Sequence, residues 1–348
     1  MQTNTTTRDR TIDFIKGILI LFVILGHTTL GLTDMYSFDD TMNGIANVIY
    51  SFHMPCFIAV SGFLYSEYVG NASQGIFSRI GHKAFNILLP YVMISVIYWI
   101  IKFALSNLIR EPVAVSSLIS IPWKPIEFLW YLYALFLIYC VAYMADYVFA
   151  RLLPHFNYKM ELLFVLFLII ALTCYGSFHY EGFNYIAGFQ MYFYLGCLIK
   201  KWLDKLDNRY AVLSLAVMSV LVEASGIVLQ DDMSRNPFFS SLFERFTACI
   251  VTVFIFAVSY FLSGYCDFPK WVQTIGRDSM PFYAMNVIFV GGIRIILNRA
   301  GITNMALQCI CGFAGSTAIC WILYEDIIKK IRFIDFIFYP CKQLYIRK

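Results

Sequence analysis

Stretches of about twenty apolar residues recur along the whole of this 348-residue chain, and that recurrence limits the fold more than any other feature. A bilayer offers no hydrogen-bond partner to free backbone N–H and C=O groups, so a chain that crosses it must close those bonds inside helices or inside a barrel. The runs here far exceed the ~9–11 residues of a barrel strand. Composition agrees, with 60% hydrophobic and 14% charged residues against about 45–50% and about 25% in soluble domains. The expected fold is all-α, a polytopic integral membrane helical bundle forming one domain over residues 1–348.

About ten transmembrane helices are expected. They lie near residues 12–33, 45–66, 84–108, 126–149, 160–178, 186–200, 210–229, 244–264, 279–298 and 303–324. The sixth, "IAGFQMYFYLGCLIK", is short for a full crossing, and a re-entrant element is the alternative there. Lys and Arg are retained on the cytoplasmic side, and most of the 26 in this chain fall inside if the N-terminus does. Arg8, Arg10, Lys16, Arg79, Lys83, Lys200, Lys201, Lys329 and Lys330 are among them. Asp34, Asp39, Asp231 and Asp232 then mark outer loops. Both termini are expected to be cytoplasmic, with the apolar, basic-ended tail 331–348 lying in the inner interface. The first run carries Asp13, Lys16 and His27 and no small-x-small site follows, so it reads as a retained span rather than a cleaved signal. The localisation implied is a cell membrane, multi-pass, with membrane lipid as a partner.

Function classes narrow next. The net charge of +4 is scattered around the spans, which argues against nucleic acid. The ten cysteines show no CxxC pair and no zinc-type spacing, so no metal is expected and the thiols read as small apolar packing groups.

Ionisable groups inside spans are costly, and each is a functional hypothesis by default. In "TIDFIKGILILFVILGH", Lys16 and His27 stand close to three helical turns apart, ~16 Å along one face, and Asp13 can pair with Lys16 from the same face. A cation at the cytoplasmic mouth suits a phosphate, and an imidazole deep in the membrane suits a base. Snorkelling of Lys16 is the ordinary alternative. In "YSFHMPCFIAVSGFLY", His53 enters from the outer side to a comparable depth, and Pro55 should kink the helix and expose carbonyls beside it. Ser61 and Gly62 permit close approach of a helix or ligand. Arg79 and Lys83 share a helical face in "FSRIGHKAFNILLPY" and favour an anion, or simply fix topology. His82 is expected at the interface. Trp130, in "EFLWYLYALF", is either an interfacial anchor or a stacking platform. "IGRDSMPFYAMN" offers Asp278 as a helix cap, Tyr283, and Asn286 as a buried amide. Arg294 and Arg299, further out, suit an anionic acceptor or topology alone.

Taken together, "IDFIKGILILFVILGH", "FHMPCFIAVSGFLY", "LWYLYALF", "MYFYLGCLIKK" and "IGRDSMPFYAMN" resemble, in order and spacing, the membrane acyltransferase-3 family, most closely its short members of the fucose 4-O-acetylase type. The resemblance covers nearly the whole chain. It implies acyl-CoA, usually acetyl-CoA, as a cytoplasmic donor substrate with no permanently bound cofactor. It also implies an O-acylated glycan or lipid-linked sugar as product. The family's basic-x10-His motif falls on Lys16 and His27, and its donor-linked basic pair on Arg79 and Lys83. That pair is spaced by four here where three is frequent, and Asn286 stands where histidine is common.

The mechanism expected is that neutral His27, with His53 beside it, takes the proton of an acceptor hydroxyl as it attacks the thioester. Lys16, with Asp13, and Arg79 and Lys83 would hold the donor phosphates. Ser61, Trp130, Tyr283 and Asn286 are candidates for acceptor binding or the oxyanion. An acyl-His27 intermediate is a variant. The competing readings are a transporter or flippase for a sugar-containing substrate, which would call for inverted repeats or paired broken helices, and a non-catalytic membrane scaffold.

Overall fold

The computed structural model describes residues 9–33, 40–68, 75–104, 115–206, 208–228 and 236–341. Among them every regular element is helical. Arg8, the acidic loop residues Asp34, Asp39, Asp231 and Asp232, and the tail beyond Cys341 lie outside the described residues.

Helix α1 spans Arg10–Thr33 and α2 spans Asp40–Tyr68. Helix α3, Ile76–Lys83, passes through a π-helical turn, Ala84–Leu88, into α4, Leu89–Ala104. The short α5, Val115–Ser120, leads to α6, Trp130–Leu152. Then come α7, Lys159–Cys174, α8, Glu181–Leu206, and α9, Arg209–Val228. Helices α10, Pro237–Ser263, α11, Lys270–Arg277, and α12, Ser279–Arg299, follow. The described chain closes with α13, Met305–Leu323, a second π turn at Tyr324–Ile328, and α14, Arg332–Phe338.

Eight of these segments are long and apolar enough to cross a bilayer: Arg10–Thr33, Thr41–Ser66, Ile76–Ala104, Trp130–Leu152, Arg209–Gly226, Pro237–Ser263, Ser279–Arg299 and Met305–Ile328. They match eight of the ten expected spans. The fifth and sixth differ for separate reasons. Helix α7 has only 16 residues, ~24 Å of helix. Helix α8, expected to be short, runs for 26 residues, but Asn184, Gln190, Lys200 and Lys201 dilute its apolar character. Its middle turns bury Gln190, Met191, Phe193, Tyr194 and Cys197, so protein rather than lipid surrounds that stretch.

The chain forms two compact units, residues 1–60 with 199–322, and residues 61–198 with 323–348. Helices α2 and α8 each contribute to both. In the first unit, α1 is the central element. Asp9 caps it, its carboxylate accepting from the N–H groups of Thr11 at 2.8 Å and Ile12 at 3.3 Å, while the Tyr260 hydroxyl donates to the other carboxylate oxygen. The amphipathic α11 lies against the first turns of α1. Two glycines make that seam: a Cβ on Gly17 would meet the Val272 carbonyl, and one on Gly276 would meet the Asp13 carbonyl. Phe14 stacks on Phe268 beside them at 3.7 Å between ring centres. Buried Ile15, Leu19, Ile20, Val23 and Ile24 carry the packing onward toward His27.

In the second unit, α3 and the π turn pack against α6, and α14 lies against α4, with Phe336 set on Phe85 of the π turn at 6.5 Å. Cys197 donates to the Gly62 carbonyl at 3.2 Å, and a Cβ on Gly62 would meet the Phe193 backbone. The close helix approach expected at this position is realised there.

Candidate functional site

In the first unit, α1 and α2 bring the two intramembrane histidines to one tyrosine. Helix α1 is uninterrupted over 24 residues, so Lys16 and His27 keep the ~16 Å spacing of eleven helical residues. The Tyr50 hydroxyl lies 3.2 Å from His27 Nδ1. The Tyr50 ring meets the His53 ring edge to face at 4.9 Å and the His27 ring at 6.3 Å. His53 is buried, and its Nδ1–H donates to the Ile49 carbonyl at 2.7 Å. That bond fixes the tautomer and leaves the lone pair on Nε2. The chain supports this locally: Pro55 sits inside α2 and has no N–H for the Ser51 carbonyl one turn back.

The neighbouring residue adds a carboxylate. Ser51 Oγ lies 3.0 Å from Glu223 Oε1 and 2.8 Å from the Val48 carbonyl. Glu223 belongs to α9, which packs against α10.

At the other end of α1, Asp13 is buried and Lys16 half-buried, both flanking the α11 seam. Further residues of this unit have defined partners. Asn286 is fully buried, and its Nδ2 donates to the Phe282 and Tyr283 carbonyls at 3.0 and 2.7 Å. Beyond its own helix it therefore presents Oδ1, an acceptor. Tyr283 is buried beside it. Arg294 donates to the Gly31 carbonyl at 2.5 Å, so it serves the C-terminal turn of α1, where a cation is favoured. Asp278 stands before α12, but its carboxylate takes Arg277 Nε at 2.8 Å and makes no side-chain cap. The charge-assisted bond outcompetes a backbone N–H there.

The second unit holds the basic pair, and it is less solvated than a topogenic pair would be. Arg79 is 12% exposed and lies 4.0 Å from Asp146, which Lys159 meets at 2.6 Å and the Tyr65 hydroxyl also reaches. The Arg79 guanidinium stands over the Tyr143 ring at 4.3 Å, and Lys83 Nζ over the Tyr139 ring at 3.8 Å. Arg79 Nη2 is buried with no hydrogen-bond partner among the described residues. Arg79, Lys83 and Lys159 against Asp146 make a net cationic, tyrosine-walled cluster. His82 is exposed, as expected, beside Asn86 at 3.2 Å. Ser61 offers its carbonyl to the Tyr139 hydroxyl at 3.4 Å. Trp130 stacks on Tyr185 at 5.3 Å and meets Phe189 at 5.1 Å. Below it the Tyr133 and Tyr180 hydroxyls are hydrogen-bonded, and burial raises the Tyr180 hydroxyl above its ordinary pKa, keeping it protonated.

Sequence reasoning did not single out Tyr50, Glu223, Asp146, Lys159 or the three tyrosines around Arg79 and Lys83. Glu223 and Asp146 carried a usable signal, since each is an ionisable residue within an apolar run. Among the described residues no group of His, Cys, Asp and Glu could hold a metal ion.

The helices and the histidine–tyrosine group within them define a multi-pass membrane protein with polar chemistry inside its spans. Residues 9–325 match the family described as Acyltransferase domain. The chain belongs to that family, the acyltransferase-3 family. It is similar to Nodulation protein NolL of Mesorhizobium japonicum, with 31% identity over 157 residues, 44% of this chain and 38% of that protein. It is also similar to Nodulation protein NolL of Sinorhizobium fredii, with 39% identity over 84 residues, 24% of this chain and 22% of that protein. The matched segments thus span well under half the length of these relatives.

Proposed function

We propose that the protein is a membrane O-acyltransferase that moves an acyl group, acetyl by preference, from cytoplasmic acyl-CoA to a hydroxyl of a cell-surface carbohydrate or lipid-linked glycan. Family membership supports the reaction class. The observation that carries the site is the joining of His27 to Tyr50, beside the oriented His53, inside the apolar spans. With Nδ1 turned to the Tyr50 hydroxyl, the tautomer of His27 that carries its hydrogen on Nδ1 leaves Nε2 to receive a proton, the arrangement of a base held by a third group. The acceptor oxygen attacks the thioester carbonyl, its proton passes to His27 Nε2, the C–S bond breaks, and the thiolate recovers that proton as free CoA. His53 Nε2 is a second proton acceptor in the same group. Lys16, steadied by Asp13, holds a donor phosphate at the inner end of α1. Arg79 and Lys83 have the charge and the buried N–H for an anion within their own unit. Two bacterial relatives and the distribution of basic residues favour a bacterial inner membrane with both termini inside.

The test is direct. Protein purified into lipid discs is given acetyl-labelled acetyl-CoA and a glycan extract from the native membrane. Labelled ester, released by mild base, is the expected product, and Lys16→Gln should raise the donor KM about tenfold, the worth of one charged hydrogen bond, with kcat nearly unchanged. Wild-type protein that forms no labelled ester would end the acyltransferase reading. An unchanged KM in the lysine variant would remove Lys16 from the donor site.

A further inference from the structure

We propose that Glu223 and Ser51 form a binding rung for the vicinal hydroxyls of a neutral, sugar-type acceptor next to the histidine pair, with Glu223 as a specificity-determining residue. The proposal rests on the acyltransferase reading above and names where that reaction's acceptor is held.

Four observations carry it. First, Glu223 is an ionisable group within the span Arg209–Gly226, only 6% of which is buried inside the protein. A carboxylate on such a helix costs several kcal/mol against lipid unless it turns to a polar partner. Glu223 does so, toward Ser51, and buried Ser219 shares its face one turn earlier.

Second, the rung is rich in hydrogen-bond acceptors. The single hydrogen of Ser51 Oγ is shared between Glu223 Oε1 at 3.0 Å and the Val48 carbonyl at 2.8 Å. The Ser51 carbonyl has no helical donor, because Pro55 occupies the position that would supply one. Glu223 Oε2 makes no hydrogen bond among the described residues. A carboxylate oxygen without a protein donor and a carbonyl that has lost its α-helical donor, beside a serine whose hydrogen is already engaged, suit a ligand that brings donors. Adjacent sugar hydroxyls supply them in pairs.

Third, the rung is contiguous with the chemistry. Ser51 directly follows Tyr50, whose hydroxyl reaches His27 and whose ring meets His53, so the rung sits on the same turn of α2 as the tyrosine that serves the histidine pair. Fourth, Glu223 stands five residues, ~8 Å, before the end of α9 at Val228. In the orientation that the basic residues favour, this is the outer half of the membrane, the side from which a surface glycan arrives.

Steady-state transfer in lipid discs, with acetyl-CoA as donor and the native-membrane glycan extract as acceptor, tests the assignment. Glu223→Gln should raise the half-saturating extract concentration about tenfold, the loss of one hydrogen bond to a charged group. CoA affinity by calorimetry and the melting temperature should stay at wild-type values. Ser51→Ala should show a smaller shift in the same direction, and Glu223→Asp should recover part of the loss. Wild-type acceptor saturation in Glu223→Gln would overturn the proposal. So would a parallel loss of CoA affinity and thermal stability, which would make Glu223 a helix-packing residue. A wild-type protein that transfers nothing would fail the acyltransferase reading itself, an outcome separable from both.

Discussion

Replacing His27 by alanine is expected to lower acyl transfer by about 10³-fold, within the range that a positioned general base contributes. The protein should insert and fold as before, because His27 is only half-buried and the Tyr50 hydroxyl that it meets is exposed. Donor affinity should hold within about twofold, since the imidazole stands ~16 Å from Lys16. Tyr50→Phe isolates the orienting role: it removes the oxygen that fixes the ring and should cost about tenfold. Initial rates with labelled acetyl-CoA, read beside calorimetric CoA binding, make the check. A His27→Ala enzyme within tenfold of wild type would move the proton-transfer role elsewhere, with His53 Nε2 the next group to test.

The second large effect is on stability. Asp146→Ala should cost about 3 kcal/mol, the penalty of removing one partner from a buried ion pair. Asp146 is 12% exposed and serves Lys159 at 2.6 Å, Arg79 at 4.0 Å and the Tyr65 hydroxyl. Its loss takes the carboxylate away from Lys159 and Arg79, whose charges then stand among aromatic rings. Lys159 begins α7 and can swing its ammonium toward the headgroups, whereas Arg79 is held over Tyr143. A fall in melting temperature on the order of 5 °C is expected in detergent, and adding Lys159→Met should return part of it. An unchanged melting temperature would show that the cluster is solvated enough for its charges to be screened.

Much of this architecture follows from physical regularities local to the sequence. The spans were readable because hydrocarbon demands a helix-length apolar run, and α1, α9 and α12 begin and end within a few residues of the positions expected. His27 and His53 stood out because an imidazole is rare in such runs. What escaped is what depends on distant pairing. Ser51 and Glu223 are 172 residues apart, and Tyr65 and Asp146 are 81 apart, so no periodicity links them. The length of α8 escaped for another reason: Asn184 and Gln190 are buried in protein, and hydropathy alone counts them as if they faced lipid. Nor does residue chemistry announce that Asn286 turns its amide hydrogens back onto its own helix.

The π turn at Ala84–Leu88 follows directly after Lys83. Such a turn accommodates one residue more than an α turn, so everything before it is rotated by about 100° from where a continuous α-helix would set it. The aim of Arg79 and Lys83 at their tyrosines is thus governed by chain length as well as by residue identity. Adding or losing a single residue there re-points both cations at once while the apolar pattern of α4 stays where lipid requires it.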